Sequence, residues 1–400
     1  MKKVVCLVLC ILMALIAFAG CAQPAVGQDP GSSEPQTKDP QTESPSAQDP
    51  GTEAPSGEKP LLDETAVYGK GPNGETATSY LELSLTEEEK AKLKEGNFRV
   101  ALNFHMLSNP FNYVKKDVIV KELEEAGVEI VAITDGQQDA AKMVDDIDTT
   151  IALKPDLIFT IAYDPSTQDA SFRRVQEAGI KMVFFECAPS SMTAGEDYEA
   201  LVSTDFYGNG RMAAEWLAWK LNYEGTVGMT YLDADVWTCL QRDEAFRTVM
   251  AKYPGIKIVA EEGYAAENAA GSAADGILAK FPDVDAIYST WDGPAIQAAA
   301  SAKAVGRNDL IISTVDLGDD SARMIATDDI LRFTATGSPY DDGMANAMVI
   351  MYALLDKELP STFIATPSTG VENDNVLDVY KEIFNTDPPK ELVEAYTPVG

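Results

Sequence analysis

The sequence predicts an α/β protein of two doubly wound, Rossmann-like lobes. From Phe98 onward, short apolar runs rich in β-branched and aromatic residues alternate with longer amphipathic runs. Strands that are apolar throughout and alternate with helices are typical of parallel sheets covered on both faces by right-handed βαβ units. About ten such strands are too many for one ordinary doubly wound sheet, whereas two lobes of about 110 to 130 residues have the usual size of a domain.

The predicted strands form two consecutive groups. The first group is FRVALNF, VEIVAIT, DLIFTIAY, KMVFFE and ALVST, and the second is TVGMTYL, IKIVAEE, DAIYST, LIISTV and LRFTAT. The helical stretches of the first group end in glycine, which suits a helix C-cap. The alternative is a (β/α)8 barrel. It is disfavoured because KMVFFE and ALVST are joined without a helical pattern, and because STFIATPSTGVEN near the C-terminus is extended instead of completing an eighth unit.

The N-terminus has the pattern of an export signal. Two lysines precede an apolar run from Val4 to Phe18, which predicts a signal peptide over residues 1–20, too short to span a bilayer permanently. The small residues before Cys21 resemble a bacterial lipobox, which implies cleavage before Cys21 and lipidation of its sulfur. The alternative is an ordinary signal peptide with an incidental cysteine. We therefore expect an extracytoplasmic protein that is lipid-anchored to the cell membrane, at the cell surface or at the periplasmic face.

Residues 21–65 are predicted to comprise the lipidated cysteine and a disordered tether. The segment is rich in Pro, Ser, Gln and acidic residues, and Asp-Pro recurs at Asp29, Asp39 and Asp49. Such a composition cannot bury enough apolar surface to offset the entropy of ordering. Only Cys187 and Cys239 then remain in the folded part. Two cysteines are not a disulfide framework, so free thiols are expected, with a single disulfide as the alternative.

The net charge of −33, from 64 acidic and 31 basic residues, disfavours two classes of partner. A surface this acidic repels phosphate backbones, so no nucleic acid partner is expected. It also argues against a polybasic grip on anionic lipid, so membrane attachment must come from the N-terminal anchor.

Cofactor, metal and catalytic motifs are weak. GNGRMA follows a strand, but three residues separate it from the strand end, and no acidic residue ends a second strand at the dinucleotide-binding spacing. Asp205 is instead predicted to cap the following helix. With one histidine and no G-x-S-x-G motif, neither a zinc site nor a Ser-His triad is expected. His105 is predicted to lie at a strand end and to give a ligand one hydrogen bond at most; a calcium site of carboxylates stays open.

The ends of the predicted strands carry aromatic, carboxylate, amide and guanidinium groups. Ligands of open parallel sheets bind beyond the carboxyl ends of the strands. Rings that cover apolar sugar faces and planar polar groups that pair with hydroxyls suit a sugar or polyol. The predicted contacts are Asn109, Phe111, Asn112, Asp164, Glu186, Trp237, Arg242, Trp291, Asp292 and Asp316.

Several motifs, taken in order, resemble the type I periplasmic sugar-binding proteins, the ribose- and galactose-binding family of ABC transporters. LSNPFNYVKKDVIVKELEEAGVEI is similar to the family's opening loop and first helix, and VSTDFYGNGRMAAEWL to its entry into the second lobe. LQRDEAF, AIYSTWDGPAIQAA and LIISTVDLGDDSARMI are similar to later segments. The resemblance covers about residues 97–390.

The resemblance implies a periplasmic-binding-protein type I fold with a three-stranded hinge, crossed near Asp205, Gly337 and Ser368. It implies an N-terminal lobe of residues 97–204 plus 338–367 and a C-terminal lobe of residues 205–337 plus 368–395. It further implies that Asp205 and Gly337 serve the hinge. The ligand contacts that it implies are Asn109, Phe111, Asn112, Glu186, Arg242, Trp291 and Asp316.

The resemblance implies a monomeric, non-enzymatic protein without cofactor that captures a small sugar or polyol and delivers it to an ABC transporter permease. Ribose itself is disfavoured, because Glu186-Cys187 stands where ribose binders usually carry Asp-Arg, and Trp291 where they carry Asn. The alternatives are a sensor for a chemoreceptor or histidine kinase, a binder of an autoinducer-2-like signal, and, as the least favoured, a hydrolase that uses Glu186 with Asp205 or Asp292.

Overall fold

The computed structural model describes residues 59–60 and 62–399. The predicted signal peptide, Cys21 and most of the predicted tether lie outside these residues. The strands are β1 (Thr78–Ser79), β2 (Arg99–Phe104), β3 (Glu129–Asp135), β4 (Leu157–Thr160), β5 (Lys181–Phe185), β6 (Ala200–Thr204), β7 (Gly225–Leu232), β8 (Ile256–Tyr264), β9 (Ala286–Ser289), β10 (Ile311–Val315), β11 (Leu331–Thr336), β12 (Phe363–Thr366) and β13 (Thr369–Val371).

The helices connect these strands as the alternating pattern predicts. They are α1 (Glu87–Gly96), α2 (Pro110–Glu125), α3 (Ala140–Ala152), α4 (Pro165–Glu177), α5 (Phe206–Lys220), α6 (Trp237–Met250), α7 (Ala270–Lys280), α8 (Asp292–Ala304), α9 (Asp319–Ala326), α10 (Pro339–Leu354), α11 (Val376–Phe384) and α12 (Lys390–Ala395). Among the described residues, no helix is both long enough and apolar enough to cross a membrane.

The strands form two separate sheets. The first has the order β1-β12-β6-β5-β4-β2-β3, with every pair parallel. The second has the order β13-β11-β10-β9-β7-β8, in which only β11 and β13 are antiparallel. The prediction of two α/β lobes is confirmed, and the ten predicted strands correspond to β2 through β11. A closed barrel is excluded because the two sheets do not join.

Both faces of each sheet are buried, which explains why the strand sequences are apolar throughout. In β2, Leu102 and Phe104 belong to one apolar cluster while Ala101 belongs to the cluster on the opposite face. In β9, Ile287 and Tyr288 divide in the same way between the two clusters of the second sheet. Each of these strands therefore contributes alternate residues to two cores. A polar residue within a strand, Asn103 of β2, is buried and donates to Thr150 Oγ1 at 3.2 Å.

The chain passes three times between the sheets. The passages follow Thr204 at the end of β6, Thr336 at the end of β11, and Thr366 at the end of β12. Asp205 caps α5, as predicted, because its carboxylate accepts the Gly208 N–H at 2.9 Å. At the second passage a Cβ on Gly337 would lie 2.5 Å from Thr204 Oγ1, so this position has room only for glycine.

The segment before β2 lies along both sheets. β1 pairs with β12 of the first sheet. Glu64 accepts the Gly370 N–H of β13 at 3.0 Å, and Leu62 packs against the core of the second sheet. The Tyr68 N–H donates to the Asp205 carboxylate at the first passage. The end of the predicted tether, up to residue 65, is therefore part of the fold, because Leu62 and Glu64 find partners there.

Candidate functional site

A cavity of about 650 Å³ lies between the two sheets, where the carboxyl ends of their strands face each other. Seven of the predicted contacts line it: Asn109, Phe111, Asn112, Glu186, Arg242, Asp292 and Asp316. We call this cavity the cleft. A second cavity of about 660 Å³ adjoins it, bounded by α2 and α11, but it lacks Glu186, Arg242 and Asp316. Of these two cavities, the cleft is the one that combines Glu186 with Arg242 and Asp316.

Arg242 and Asp316 form a bidentate ion pair on the second-sheet side of the cleft. The guanidinium nitrogens lie 2.9 and 3.1 Å from the two Asp316 carboxylate oxygens. Burial alone would lower the pKa of Arg242, but the Asp316 charge raises it, so the guanidinium is held as a cation. It also lies 4.7 Å from the centre of the Phe206 ring. The pair presents a fixed planar donor and acceptor set to the cleft.

Glu186 and Lys115 form a second ion pair on the first-sheet side. Glu186 follows β5 with φ 56°, and its carboxylate lies 2.6 Å from Lys115 Nζ. The Lys115 side chain is fully buried and also lies 3.3 Å from Asp342. Burial by itself would raise the pKa of Glu186, but the charge of Lys115 lowers it below its usual value, so the carboxylate stays ionised.

Asp292 is a cleft carboxyl whose pKa is raised toward neutrality. Its carboxylate accepts a hydrogen bond from Ser321 Oγ at 2.9 Å. Burial, and then the nearby charge of Asp316, raise its pKa to about 6. The group is therefore ionised but destabilised at pH 7, and a ligand hydroxyl that donates to it would relieve part of that cost.

The loop after β2 forms one wall of the cleft. Asn109 caps α2 by accepting the Asn112 N–H at 2.8 Å, so its side-chain oxygen is already used within the loop. Phe111 lies in the first turn of α2 and lines the cleft. His105 also lines it, as expected of a cleft-edge residue, and stacks on Tyr163 with ring centres 5.6 Å apart. Burial lowers the pKa of His105, which favours the neutral imidazole.

Three predicted contacts do not line the cleft. Asp164 caps α4, with its carboxylate accepting the Ser166 N–H at 3.1 Å. Trp237 packs edge-on against Phe363, with ring centres 5.9 Å apart. Trp291 packs against Tyr264 and donates its indole N–H to Glu267. In each case the side chain that follows the strand end caps a helix or packs against another ring instead of facing the cleft.

Several residues that line the cleft or lie directly behind its wall escaped sequence analysis. Lys115 had a usable signal, because Asn112, Lys115 and Ile119 share the helical spacing of a buried face. Phe206 directly follows a strand end, so it also could have been found. Tyr380 and Phe384 reach the cleft from α11, far from any predicted strand end. Other cleft residues that were missed include Thr238, Ile296, Asp319, Asp320 and Thr336.

Possible metal ligands and the two thiols are the remaining reactive groups in the part of the chain that the structure describes. Within residues 59–60 and 62–399, no three His, Cys, Asp or Glu side chains are grouped to hold a metal ion. Cys187 and Cys239 are both free thiols. Burial raises the pKa of the Cys187 thiol to about 12, which makes it a poor nucleophile.

Comparison with known proteins agrees with this architecture. Residues 100–359 match the periplasmic binding protein domain. The match spans more than half of the chain, and the chain belongs to this family. A ribose import binding protein of Escherichia coli is 22% identical over 251 residues, which cover 62% of this chain and 82% of the relative. A D-apiose import binding protein of Paraburkholderia graminis is 25% identical, covering 56% and 70%. Both of these curated relatives are named import binding proteins.

Solved structures show the same fold. An ABC transporter solute-binding protein from Agrobacterium vitis, bound with α-D-tagatopyranose, superposes with a TM-score of 0.60 at 22% identity, covering 72% of this chain and 99% of that chain. A solute-binding protein from Bacillus halodurans with bound myo-inositol has a TM-score of 0.58 at 17% identity, covering 72% and 98%. These likenesses confirm the periplasmic-binding-protein type I fold.

Proposed function

We propose that this chain is an extracytoplasmic solute-binding protein that captures a small sugar or polyol in the cleft and delivers it to an ABC transporter permease. The observation that carries the proposal is the presence of two ion pairs on opposite sides of one cavity. Arg242–Asp316 lies on the second-sheet side and Lys115–Glu186 on the first-sheet side. Fixed donors and acceptors beside the Phe111 and Phe206 rings suit hydroxyls and an apolar sugar face. The names of the curated relatives support the same class of solute.

We further propose that the two lobes, residues 97–204 plus 338–367 and residues 205–337 plus 368–395, close about the solute by hinge motion. A solute that contacts both lobes binds the closed form better than the open form, so it shifts the population toward closure. Small-angle X-ray scattering should therefore show a smaller radius of gyration with saturating sugar. An unchanged radius of gyration would refute the proposed closure of the lobes.

Binding is tested by calorimetry with D-ribose, D-apiose, D-tagatose, D-allose, allitol and myo-inositol. Asp316→Asn should weaken the best binder at least about tenfold, since it breaks the partly buried, charge-assisted pair with Arg242. The matched control is Asp148→Asn, which breaks a surface pair with Arg174 and should leave affinity within about twofold. If no small polar solute binds the wild-type protein, the proposed function fails.

Lipid anchoring at Cys21 is a separate part of the proposal, supported by the sequence pattern before that residue. Cells that express the full chain and are fed radiolabelled palmitate should label the wild-type protein and not Cys21→Ala. Equal labelling of both would refute the anchor. It would leave the binding proposal untouched.

A further inference from the structure

Lys115 is a buried cation directly behind the cleft wall. It lies in α2, its side chain has no exposure to solvent, and its Nζ is 2.6 Å from Glu186 and 3.3 Å from Asp342. The same ammonium group lies 4.9 Å from the centre of the Phe111 ring and 5.0 Å from that of Phe185. One buried side chain therefore contacts both a ligand-facing carboxylate and a ligand-facing ring.

The second partner of Lys115 links it to the passages between the lobes. Asp342, in α10, accepts hydrogen bonds from Thr366 Oγ1 at 2.5 Å and from Thr204 Oγ1 at 3.2 Å. These two threonines end β12 and β6, where the chain leaves the first sheet for the second. Lys115 thus joins the Glu186 side of the cleft to two of the three passages through one ionic network.

We propose that Lys115 is the positioning residue of the cleft: it fixes the charge and orientation of Glu186 and of the Phe111 ring for sugar binding. The inference rests on the proposed function and assigns a role to a residue that does not itself line the cavity.

The charges around Glu186 set the sign of the expected effect. The groups that face it are Lys115 from α2, His105 after β2, Arg242 from α6, Asp342 from α10 and the Cys187 thiol. Burial would lower the pKa of Lys115, but Glu186 and Asp342 raise it, so the ammonium stays charged. Without it, burial and Asp342 would favour protonation of Glu186, and a neutral acid is a weaker acceptor for a hydroxyl.

A double-mutant cycle tests the inference, with the sugar or polyol of the panel that wild type binds best as the probe. At pH 7.5, Lys115→Met should weaken binding at least about tenfold, a coupling of the size measured for close charge pairs. In the Glu186→Gln background, the same substitution should cost less than about threefold, because contacting residues are non-additive. The control is Lys116→Met, which removes a neighbouring cation that pairs with Asp117.

The pH profile separates positioning from simple packing. The ratio of wild-type to Lys115→Met affinity should grow as pH falls from 8 to 5.5, because without the ammonium group Glu186 takes up a proton more readily in the variant than in wild type. Titration of Asp292 affects both proteins and cancels in the ratio. Lys115→Arg, which retains the charge, should recover most of the affinity. If Lys115→Met is not folded by circular dichroism, Lys115→Gln replaces it in the same cycle.

Two results would overturn the inference. One is an equal loss in the wild-type and Glu186→Gln backgrounds, which would make Lys115 a packing residue only. The other is a flat affinity ratio across the pH range. Failure of the proposed function looks different, since wild type would then bind none of the six solutes.

Discussion

Replacing Asp292 by asparagine should stabilise the free protein while weakening its ligand binding. The Asp292 carboxyl has its pKa raised from 3.8 to about 6 by burial and by Asp316. The folded state therefore holds the Asp292 proton more tightly than the unfolded state. Proton binding to Asp292 stabilises the fold at low pH, and this contribution to the free energy of unfolding is lost as pH rises through about 6. At about 1.36 kcal/mol per pH unit, the ionised group costs the fold on the order of 3 kcal/mol at pH 8.

Asparagine preserves the shape and still accepts the Ser321 hydroxyl, but it carries no charge. Asp292→Asn should therefore raise Tm by about 5 °C at pH 8 and by less than about 2 °C at pH 4. The variant should bind the best panel solute about tenfold more weakly at pH 8, because a neutral acceptor replaces a charged one. A gain in stability with a loss of binding is the signature of a group retained for function.

Thermal unfolding followed by circular dichroism at pH 8 and pH 4, with calorimetry at pH 8, provides the measurement. Asp275→Asn is the control, since Asp275 is an exposed carboxylate on α7, and it should change neither quantity. An unchanged or lower Tm for Asp292→Asn at pH 8 would refute the buried-charge argument. Unchanged affinity would remove Asp292 from the proposed contacts.

Three further predictions concern the cleft, the packing of α5 against α6, and the thiols. Phe111→Ala should weaken solute binding at least about tenfold and Trp291→Ala less than about threefold, because of these two rings only that of Phe111 lines the cleft. Equal losses of affinity by calorimetry would contradict this placement. Gly210→Ala should lower Tm by several degrees, because the added Cβ would overlap the Arg242 carbonyl oxygen. Gly276→Ala should not lower Tm, because the nearest atom to its added Cβ would lie 3.8 Å away. Equal Tm values for the two variants would contradict this reasoning. Cys187 and Cys239 should react with a thiol reagent at pH 8 only after unfolding, because burial raises the pKa of both; rapid native labelling would show that they are accessible.

Much of the fold follows from short-range patterns in the sequence. The apolar runs from FRVALNF to LRFTAT each form a strand, because strands covered on both faces carry mostly apolar residues. The helix caps at Asp205 and the break after KMVFFE are equally local signals. β1 and α1 were not predicted. β1 has only two residues and exists because the edge of β12 is available for pairing.

The site was only partly predictable, for a physical reason. The sequence by itself determined that polar and aromatic residues gather at strand ends, and seven of the ten predicted contacts line the cleft. Only the tertiary structure decided which way the Trp237 and Trp291 rings turn, because their direction depends on Phe363 and Tyr264, which are distant in the chain. The same holds for Lys115 and Glu186, which are 71 residues apart and pair only because packing brings α2 beside the end of β5.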